Sequence, residues 1–356
     1  MKKSNKLLKT LLVSTLLFAV MLSSGCSKQN SSSKGQNAAQ EKPYITRTLI
    51  KLNTVVTITI YDKQEEYLLD GAMEVCDYYE EVFSRTSQTS ELYRFNHGLL
   101  NTATNGTNQA ELSPELARLI GQGIAYGDLS KGKFDITVAP LAELWDFTAD
   151  EPKVPSNEDI SALLPNINYK DIQVDGNVVT LANEDMAIDL GAIAKGYIAD
   201  RIKDYLVEEG VKSAMINLGG NVLCVGSKPD GTPFNIGIQK PFADRNETIA
   251  VVGIDDLSVV SSGIYERYFE VDGEFYHHIL NPATGYPYDT DLVAVTIISK
   301  KSVDGDGLST SCFALGLEGG LELINSLEDT YAVFITSDYE LHYSDGFFEN
   351  LTVVEQ

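Results

Sequence analysis

The β-rich C-terminal half of the chain restricts its fold more than any other feature. Between Phe234 and Ser299 it consists of short segments rich in β-branched residues, separated by Gly, Pro and Asp turns. The 3–4 spacing of apolar residues that marks a helix occurs elsewhere, at Glu65–Phe83 and Ala192–Glu209. Because strands and helices do not alternate regularly, the pattern predicts an α+β fold with mixed or antiparallel sheets and packed helices.

Local signals predict the remaining elements. Ser113 and Pro114 suit the N-cap and first turn of a helix that runs to about Ser130. A further helix is predicted at Asp304–Leu317, whereas the polar, proline-containing segment Asp150–Pro165 is predicted to be a surface loop. Short strands are predicted at Leu52–Tyr61, Ile172–Leu181 (around a turn at Asp175–Asn177), Met186–Leu190, Val211–Asn217 and Val222–Val225.

The first 25 residues are typical of an export signal. Four lysines precede an apolar run from Leu11 to Leu22, which is too short for a comfortable membrane-spanning helix. The run ends in Leu22-Ser23-Ser24-Gly25-Cys26, which resembles a bacterial lipobox, whose cysteine is acylated and becomes the new N-terminus. An ordinary secretory peptide with an unrelated cysteine is the alternative. We expect residues 1–25 to be a lipoprotein signal peptide and Cys26 to anchor an extracytoplasmic protein to the lipid bilayer of the bacterial cell membrane.

The segment after Cys26 is predicted to be a flexible tether, because Ser, Gln, Asn and Ala dominate residues 26–42 without periodicity. Residues 43–356 are enough for one large domain. The leader holds four of the 27 basic residues and no acidic ones, so the rest carries 23 basic and 51 acidic residues, a net charge of −28. Such a surface repels nucleic acid, and no nucleic-acid role is expected. Small anions such as nucleotides stay compatible, because a helix terminus or a bound cation can override the global field.

Three cysteines follow Cys26, and none of them has metal-ligand spacing to another. Each lies in an apolar stretch, and an odd number in an exported chain does not favour a disulfide scaffold. Buried free thiols are therefore predicted for Cys76, Cys224 and Cys312.

Several polar segments could carry chemistry, although each also has a structural explanation. Asp189 lies just before a helix and could serve only as its cap. Gly219-Gly220 could let the backbone approach a ligand or could form an ordinary hairpin turn. His277 and His278 point to opposite faces if their segment is a strand, so at most one of them serves a given site.

Asp306 and Thr310 stand apart because of their spacing. They lie four residues apart at a helix start, which places both side chains on one face. A carboxylate and a hydroxyl form a hard-oxygen pair that suits Mg²⁺, a cation that takes few protein ligands. Capping of the helix by Asp306 is the structural alternative.

Six segments, in this order, resemble the ApbE family of FAD:protein FMN transferases. The likeness runs from about Thr48 to Leu317, and its most specific stretches are Glu91–Asn96, Gly132–Phe147, Asp189–Leu206, Asn217–Asn221, Ser261–Gly285 and Asp306–Gly316. The resemblance implies a single large catalytic domain of T-fold-like architecture. It also implies cleavage of the FAD pyrophosphate, transfer of FMN to a Thr or Ser hydroxyl of a partner protein, and release of AMP. Such partners are typically subunits of flavin-linked redox complexes.

The same resemblance assigns roles to residues of this chain. Asp306 and Thr310 would bind Mg²⁺, with the backbone carbonyl of Ala192 as a third ligand. The residues that would bind FAD or line its pocket are Leu52, Thr86, Asn96, Trp145, Asp146, Phe147, Asp189, Lys195 and Leu280.

His278, rather than His277, occupies the histidine position of the family's H-I-x-x-P-x-T-G motif. It would be the general base that takes the proton from the acceptor hydroxyl, work that suits a side chain with a near-neutral pKa. The chain departs from the family pattern around the flavin. Asn53 replaces the usual Gly of Met-Gly-Thr, and Thr86 stands where many members carry Tyr.

Two other functions are compatible with the sequence. An FAD pyrophosphatase would use the same site to release free FMN and AMP, although retention of Asn96 favours transfer within this family. A flavin-binding lipoprotein without catalysis would bind FAD independently of Mg²⁺. A solute-binding lipoprotein without flavin is disfavoured, because regular βαβ alternation is scarce.

Overall fold

Eight α-helices and sixteen strands build the part of the chain that the computed structural model describes, residues 44–244 and 247–354. The helices are α1 (Tyr67–Phe83), α2 (Glu91–Asn96), α3 (Pro114–Leu129), α4 (Ala139–Trp145), α5 (Asn157–Leu163), α6 (Ala194–Glu208), α7 (Ser302–Asn325) and α8 (Phe347–Asn350). The strands are β1 (Ile45–Lys51), β2 (Thr54–Ile60), β3 (Asn108–Glu111), β4 (Ile172–Asp175), β5 (Val178–Leu181), β6 (Ala214–Leu218), β7 (Asn221–Val225), β8 (Phe234–Gln239), β9 (Thr248–Ile254), β10 (Ser258–Gly263), β11 (Tyr268–Val271), β12 (Glu274–His277), β13 (Leu292–Ser299), β14 (Tyr331–Thr336), β15 (Leu341–Tyr343) and β16 (Thr352–Val354).

An eight-stranded sheet in the order β1-β2-β6-β7-β10-β13-β14-β15 forms the centre of the molecule. All of its ladders are antiparallel, which agrees with the predicted fold class. Strand β13 is buried along its whole length, because its apolar run lies between two layers. Val295 and Ile297 belong to the core on the helical side, whereas Val293 and Ile298 pack with the small sheet β16-β9-β8.

Helices α1, α6 and α7 pack on one face of the central sheet and share a core with β2. Helix α7 is the longest helix of the described residues, and Gly316 interrupts it with φ 75° and ψ 179°. These angles are not helical and suit glycine, so α7 consists of two segments that meet at Gly316. Asp306 and Thr310 lie in the first segment.

The first turn of α7 is capped from a neighbouring helix. Lys301, which precedes α7, provides no side-chain cap. Instead, the Asp200 carboxylate on α6 accepts hydrogen bonds from the backbone N–H groups of Ser302 (2.8 Å) and Val303 (3.1 Å). Burial raises the pKa of Asp200 to about 6, and these two hydrogen bonds oppose the rise. Asp200 therefore fixes where α7 begins and how it lies against α6.

Two predicted elements were wrong. Asp150–Pro165, predicted as a loop, contains α5, because Ser156 caps the helix by accepting a hydrogen bond from the Asp159 N–H (3.1 Å) and Ile160 is buried. Met186–Leu190, predicted as a strand, has no regular secondary structure and belongs to no ladder of the described residues.

Other predictions are confirmed. Helix α6 matches the predicted amphipathic helix, and β6 and β7 turn at Gly219-Gly220, whose φ angles are 67° and 99°. The three cysteines Cys76, Cys224 and Cys312 are free and buried. Within residues 44–244 and 247–354, no helix has the length and apolar character to cross a membrane. The predicted leader, Cys26 and the tether lie outside the described residues.

Removing the shared cap should destabilise the fold. We expect Asp200→Ala to lower the free energy of unfolding by about 1–3 kcal/mol, because two buried N–H groups lose their acceptor. Urea denaturation of the purified protein measures this change. Asp204→Ala on the same helix is the matched control, since its ion pair with Arg201 is solvent-exposed and is worth about 0–1 kcal/mol. Equal losses in the two variants would contradict the capping role.

Candidate active site

A cleft of about 420 Å³ opens where α6, α7, β10 and the β1–β2 hairpin meet. Most of the predicted site residues line it, and the elements that carry them are distant in sequence. The predicted residues on its wall are Leu52, Thr86, Asp146, Phe147, Asp189, Ala192, Lys195, His278, Leu280, Asp306 and Thr310.

The Asp306 side chain is buried in the wall of the cleft and accepts two hydrogen bonds. Its Oδ2 accepts a hydrogen bond of 2.5 Å from the backbone N–H of Gly196. This N–H lies in the first turn of α6 and therefore has no acceptor within its own helix. Its Oδ1 accepts the side-chain amide of Asn221 at 3.0 Å. Burial raises the pKa of Asp306, while Lys195 and both hydrogen bonds lower it. Each oxygen keeps a further lone pair that a cation can use.

Asn221 links Asp306 to the start of α7. Its amide nitrogen donates to Asp306, and its amide oxygen accepts the Ser302 hydroxyl at 2.7 Å. The second asparagine of Asn217–Asn221 is thus a buried connector, held there because the Gly219-Gly220 turn brings β7 back beside β6.

The neighbourhood of Asp306 supplies oxygen atoms that fit Mg²⁺. The Thr310 hydroxyl lies one helical turn further on, and Ser262 holds it with a hydrogen bond of 3.1 Å. Ala192 also lines the cleft. Among the described residues no group of three or more His, Cys, Asp or Glu side chains could hold a metal ion. One carboxylate, one hydroxyl and one carbonyl form the sparse, hard-oxygen set that Mg²⁺ accepts.

Gly196 permits the close approach of α6 and α7 at this point. A Cβ atom on Gly196 would overlap the carbonyl oxygen of Ser302 and lie 2.7 Å from the Cα of Val303. Both neighbours are backbone atoms, which cannot rotate away. The Lys195-Gly196 dipeptide therefore combines a cation that lines the cleft with the small residue that lets Asp306 reach the α6 N-terminus.

Asp189 also lines the cleft, and both of its carboxylate oxygens accept hydrogen bonds. Its Oδ1 accepts the Gly191 N–H at 2.7 Å, and its Oδ2 accepts Nε of Arg85 at 2.8 Å. Arg85 also donates to Glu143 at 3.2 Å. Asp189 is not simply the cap of α6, because its carboxylate contacts Gly191, which precedes the helix, and a side chain from the loop after α1.

The two adjacent histidines have different environments. His277 is buried, and both of its ring nitrogens contact backbone groups, Nε2 with the carbonyl of Tyr288 (2.9 Å) and Nδ1 with the N–H of Ile279 (3.2 Å). His278 is half-buried and lines the cleft. Its Nδ1 lies 3.2 Å from the carbonyl oxygen of Arg267, which can only accept, so Nδ1 carries the proton. Nε2 is left as the nitrogen that can take up another proton.

The pKa of His278 is well below its usual range. Burial is the main cause, and the positive charges of Arg267 and Lys195 add to it. At neutral pH the imidazole is therefore uncharged, which is the protonation state that a general base needs.

The β1–β2 turn brings Leu52 to the cleft through unusual backbone angles. Leu52 and Asn53 both have φ of 54°, the pair of left-handed residues of a type I′ hairpin turn. Asn tolerates this conformation well, which explains why Asn53 can replace the Gly of the family pattern. On the other side, Leu280 is buried and Phe147 stacks on Trp145 with centroids 5.5 Å apart.

Asn96 and Trp145, predicted to line the pocket, are not among the residues that form the wall of this cleft. The Asn96 amide is used by the backbone of Ile188, accepting its N–H at 2.9 Å and donating to its carbonyl at 2.8 Å. Trp145 is 1% exposed, and its indole N–H donates to the carbonyl of Gly285 at 2.8 Å. Both residues support the wall from behind, so Asn96 gives no ground here for choosing transfer over hydrolysis.

Sequence reasoning missed three residues that shape the site. Arg85 holds Asp189, Asn221 holds Asp306, and Ser262 holds Thr310. Asn221 and Ser262 lie inside the stretches Asn217–Asn221 and Ser261–Gly285, so the sequence offers their side chains as candidates. Arg85 lies outside every predicted motif, and no local pattern marks it.

The sequence model of the ApbE family matches residues 52–335 of the chain. The chain belongs to the ApbE family. An FAD:protein FMN transferase of Klebsiella pneumoniae is 36% identical over 294 residues, which cover 82% of this chain and 89% of the relative. One from Treponema pallidum is 31% identical over 330 residues, which cover 87% and 89%.

Solved ApbE structures have the same fold. The flavin transferase ApbE from Vibrio cholerae superposes with a TM-score of 0.75 at 26% identity, covering 86% of this chain and 99% of that one. The ApbE protein from Thermotoga maritima gives 0.76 at 30% identity, covering 86% and 98%. Membership in the family and the α+β fold, both predicted from sequence, are confirmed.

Adding one methyl group at Gly196 should disrupt the α6–α7 contact. We expect Gly196→Ala to lower the free energy of unfolding by about 1–3 kcal/mol, because the helices must separate to admit the Cβ atom. Thermal or urea denaturation measures the effect. Gly121→Ala in α3 is the control, since no atom lies within 4 Å of the added Cβ, and this change should stabilise by up to about 1 kcal/mol. A neutral Gly196→Ala would show that the close approach is not needed.

Proposed function

We propose that this chain is an enzyme that transfers the FMN half of FAD to a Ser or Thr hydroxyl of a partner protein, in a Mg²⁺-dependent reaction that releases AMP. The relatives named FAD:protein FMN transferase support the donor and the protein acceptor. The observation that carries the proposal is the pairing, in one cleft, of the hard-oxygen set around Asp306 with an uncharged histidine, His278.

The reaction needs a weak nucleophile and a stable leaving group in line with one phosphorus atom. The acceptor oxygen forms a bond to the phosphorus of the FMN half, the pyrophosphate P–O bond breaks, and AMP leaves with the bridging oxygen. The acceptor's proton goes to Nε2 of His278, while the carbonyl of Arg267 keeps the imidazole in the required tautomer.

Asp306, Thr310 and the carbonyl of Ala192 are the groups that would hold Mg²⁺. When bound, the cation would neutralise charge on the pyrophosphate and help to orient it. Gly196 and Asn221 fix the Asp306 carboxylate before any ligand arrives, so little reorganisation of the side chain is required.

Four positive side chains on the cleft wall can contact the phosphates of a dinucleotide, although acidic residues also line the cleft. Lys133, Lys195, Arg85 and Arg267 all line it. We expect Lys195 to contact phosphate or ribose, and Leu52, Phe147 and Leu280 to supply apolar surface to a ring system.

The location of the enzyme follows from the leader. We propose that residues 1–25 direct export, that Cys26 is lipidated, and that residues 26–42 tether the catalytic domain to the outer face of the cell membrane. Mass spectrometry of the membrane-extracted protein tests this, because a diacylglyceryl-modified Cys26 at the new N-terminus is expected and unmodified protein would exclude the anchor.

The decisive test combines the purified protein with FAD, Mg²⁺ and a candidate acceptor, followed by intact mass of the acceptor. An added FMN moiety, absent with EDTA and absent with Asp306→Ala, is expected because the pyrophosphate loses its metal. Free FMN and AMP without an adduct would identify a pyrophosphatase. FAD binding that is unaffected by EDTA, without turnover, would identify a flavin-binding protein.

His278→Ala should lower kcat by roughly 10²–10⁴-fold and leave the Kd for FAD nearly unchanged, because the base acts on the acceptor. His277→Gln is a useful comparison, since loss of the His277 side chain should mainly lower stability.

In the wild-type protein, the acidic limb of the kcat/KM profile should lie below pH 6.5, because the depressed pKa of His278 keeps its imidazole neutral as the pH falls. Full activity of His278→Ala, or a limb above pH 6.5, would reject His278 as the base.

A further inference from the structure

Arg85 joins three separate segments of the cleft wall. It lies in the loop after α1, lines the cleft, and donates both to Asp189, just ahead of α6, and to Glu143 on α4. Its partners are 104 and 58 residues away in sequence. A side chain with this reach can set the relative position of the segments that it joins.

The two ion pairs of Arg85 differ in how far water screens them. In the pair with Asp189 the side chains are 23% and 21% exposed, whereas Glu143 is 58% exposed. An exposed ion pair contributes little, because water and salt weaken the attraction. We therefore expect the ion pair with Asp189 to hold the Arg85 side chain in place. The ion pair with Glu143 should contribute little and serves as a control for it.

Arg85 and Gly191 together fix the orientation of the Asp189 carboxylate. One oxygen accepts the Gly191 N–H and the other accepts Nε of Arg85. The fit is tight, since a Cβ atom on Gly191 would lie 2.9 Å from Oδ1 of Asp189. Each carboxylate oxygen keeps one free lone pair, so Asp189 can still accept a hydrogen bond from a hydroxyl or N–H group of a nucleotide.

The charge of Arg85 has a second consequence. The wall of the cleft carries six acidic residues, Glu80, Asp135, Asp146, Asp189, Glu266 and Asp306, against four basic ones. A dinucleotide brings further negative charge on its pyrophosphate. An unpaired Asp189 would repel that charge, and the adjacent guanidinium offsets it.

We propose that Arg85 is a positioning residue for FAD, which orients and neutralises Asp189 so that this carboxylate can accept a hydrogen bond from the nucleotide. The inference rests on the proposed function, because it takes FAD as the ligand. Arg85 acts through Asp189 and takes no part in the phosphoryl transfer. Nε is central to this role, and lysine has no equivalent atom.

A double-mutant cycle on FAD binding tests the proposal without requiring turnover. The Kd for FAD is measured by isothermal titration calorimetry for wild type, Arg85→Gln, Asp189→Asn and the double variant. We expect Arg85→Gln to raise the Kd at least tenfold in the wild-type background and less than about threefold in the Asp189→Asn background, as for residues that act as one unit. Arg85→Lys should bind nearly as poorly as Arg85→Gln.

Glu143→Gln is the matched control, and its Kd should stay within about twofold of wild type because that pair is exposed. Thermal melting of each variant without FAD separates loss of folding from loss of affinity. Three outcomes would overturn the proposal: wild-type affinity in Arg85→Gln, full affinity in Arg85→Lys, or an equally large effect of Arg85→Gln when Asp189 is already replaced. If wild type itself does not bind FAD, the proposed function fails instead.

Discussion

Helices α6 and α7 cap each other through two carboxylates, and this reciprocal capping determines the geometry of the site. Asp200 on α6 accepts the first N–H groups of α7, and Asp306 on α7 accepts an N–H in the first turn of α6. Helix N-termini carry partial positive charge and N–H groups without acceptors in their own helix. Each carboxylate therefore supplies a negatively charged acceptor to the N-terminus of the other helix. Gly196 makes this reciprocal capping possible, because only a residue without a Cβ atom lets the backbones of α6 and α7 come this close. A carboxylate that is a candidate metal ligand thus also holds the two helices together.

Local sequence signals were sufficient for much of the fold. The 3–4 spacing around α6, the Ser113-Pro114 helix start and the paired glycines of the β6–β7 turn all predicted the correct element, since each signal acts within a few residues. The strand predicted at residues 186–190 failed because a distant side chain decides the outcome there, whereas the missed helix α5 has a local cap at Ser156. Residues 186–190 alternate between buried and half-buried side chains as a strand does, yet the backbone of Ile188 pairs with the Asn96 side chain instead of a neighbouring strand.

The same distinction holds for the site. Asp306 and Thr310 could be recognised from spacing because they share a helix, and His278 from a motif within one loop. Arg85 could not, because its contact with Asp189 depends on how α1 and α6 pack. The neighbouring histidines also show the limit of composition, since only strand alternation and the surrounding backbone groups separate a buried structural imidazole from one that faces the cleft.

The break at Gly316 divides α7 into two helical segments that have different neighbours. The first segment holds the candidate metal ligands and packs against α6 and β10, whereas in the second segment Gly320 packs against Phe334 of β14. A continuous rod would transmit any tilt at its distal end directly to Asp306. With the interruption, a change in the tilt of the second segment near Asn325 can be taken up at Gly316, so the position of Asp306 depends less on how that segment packs.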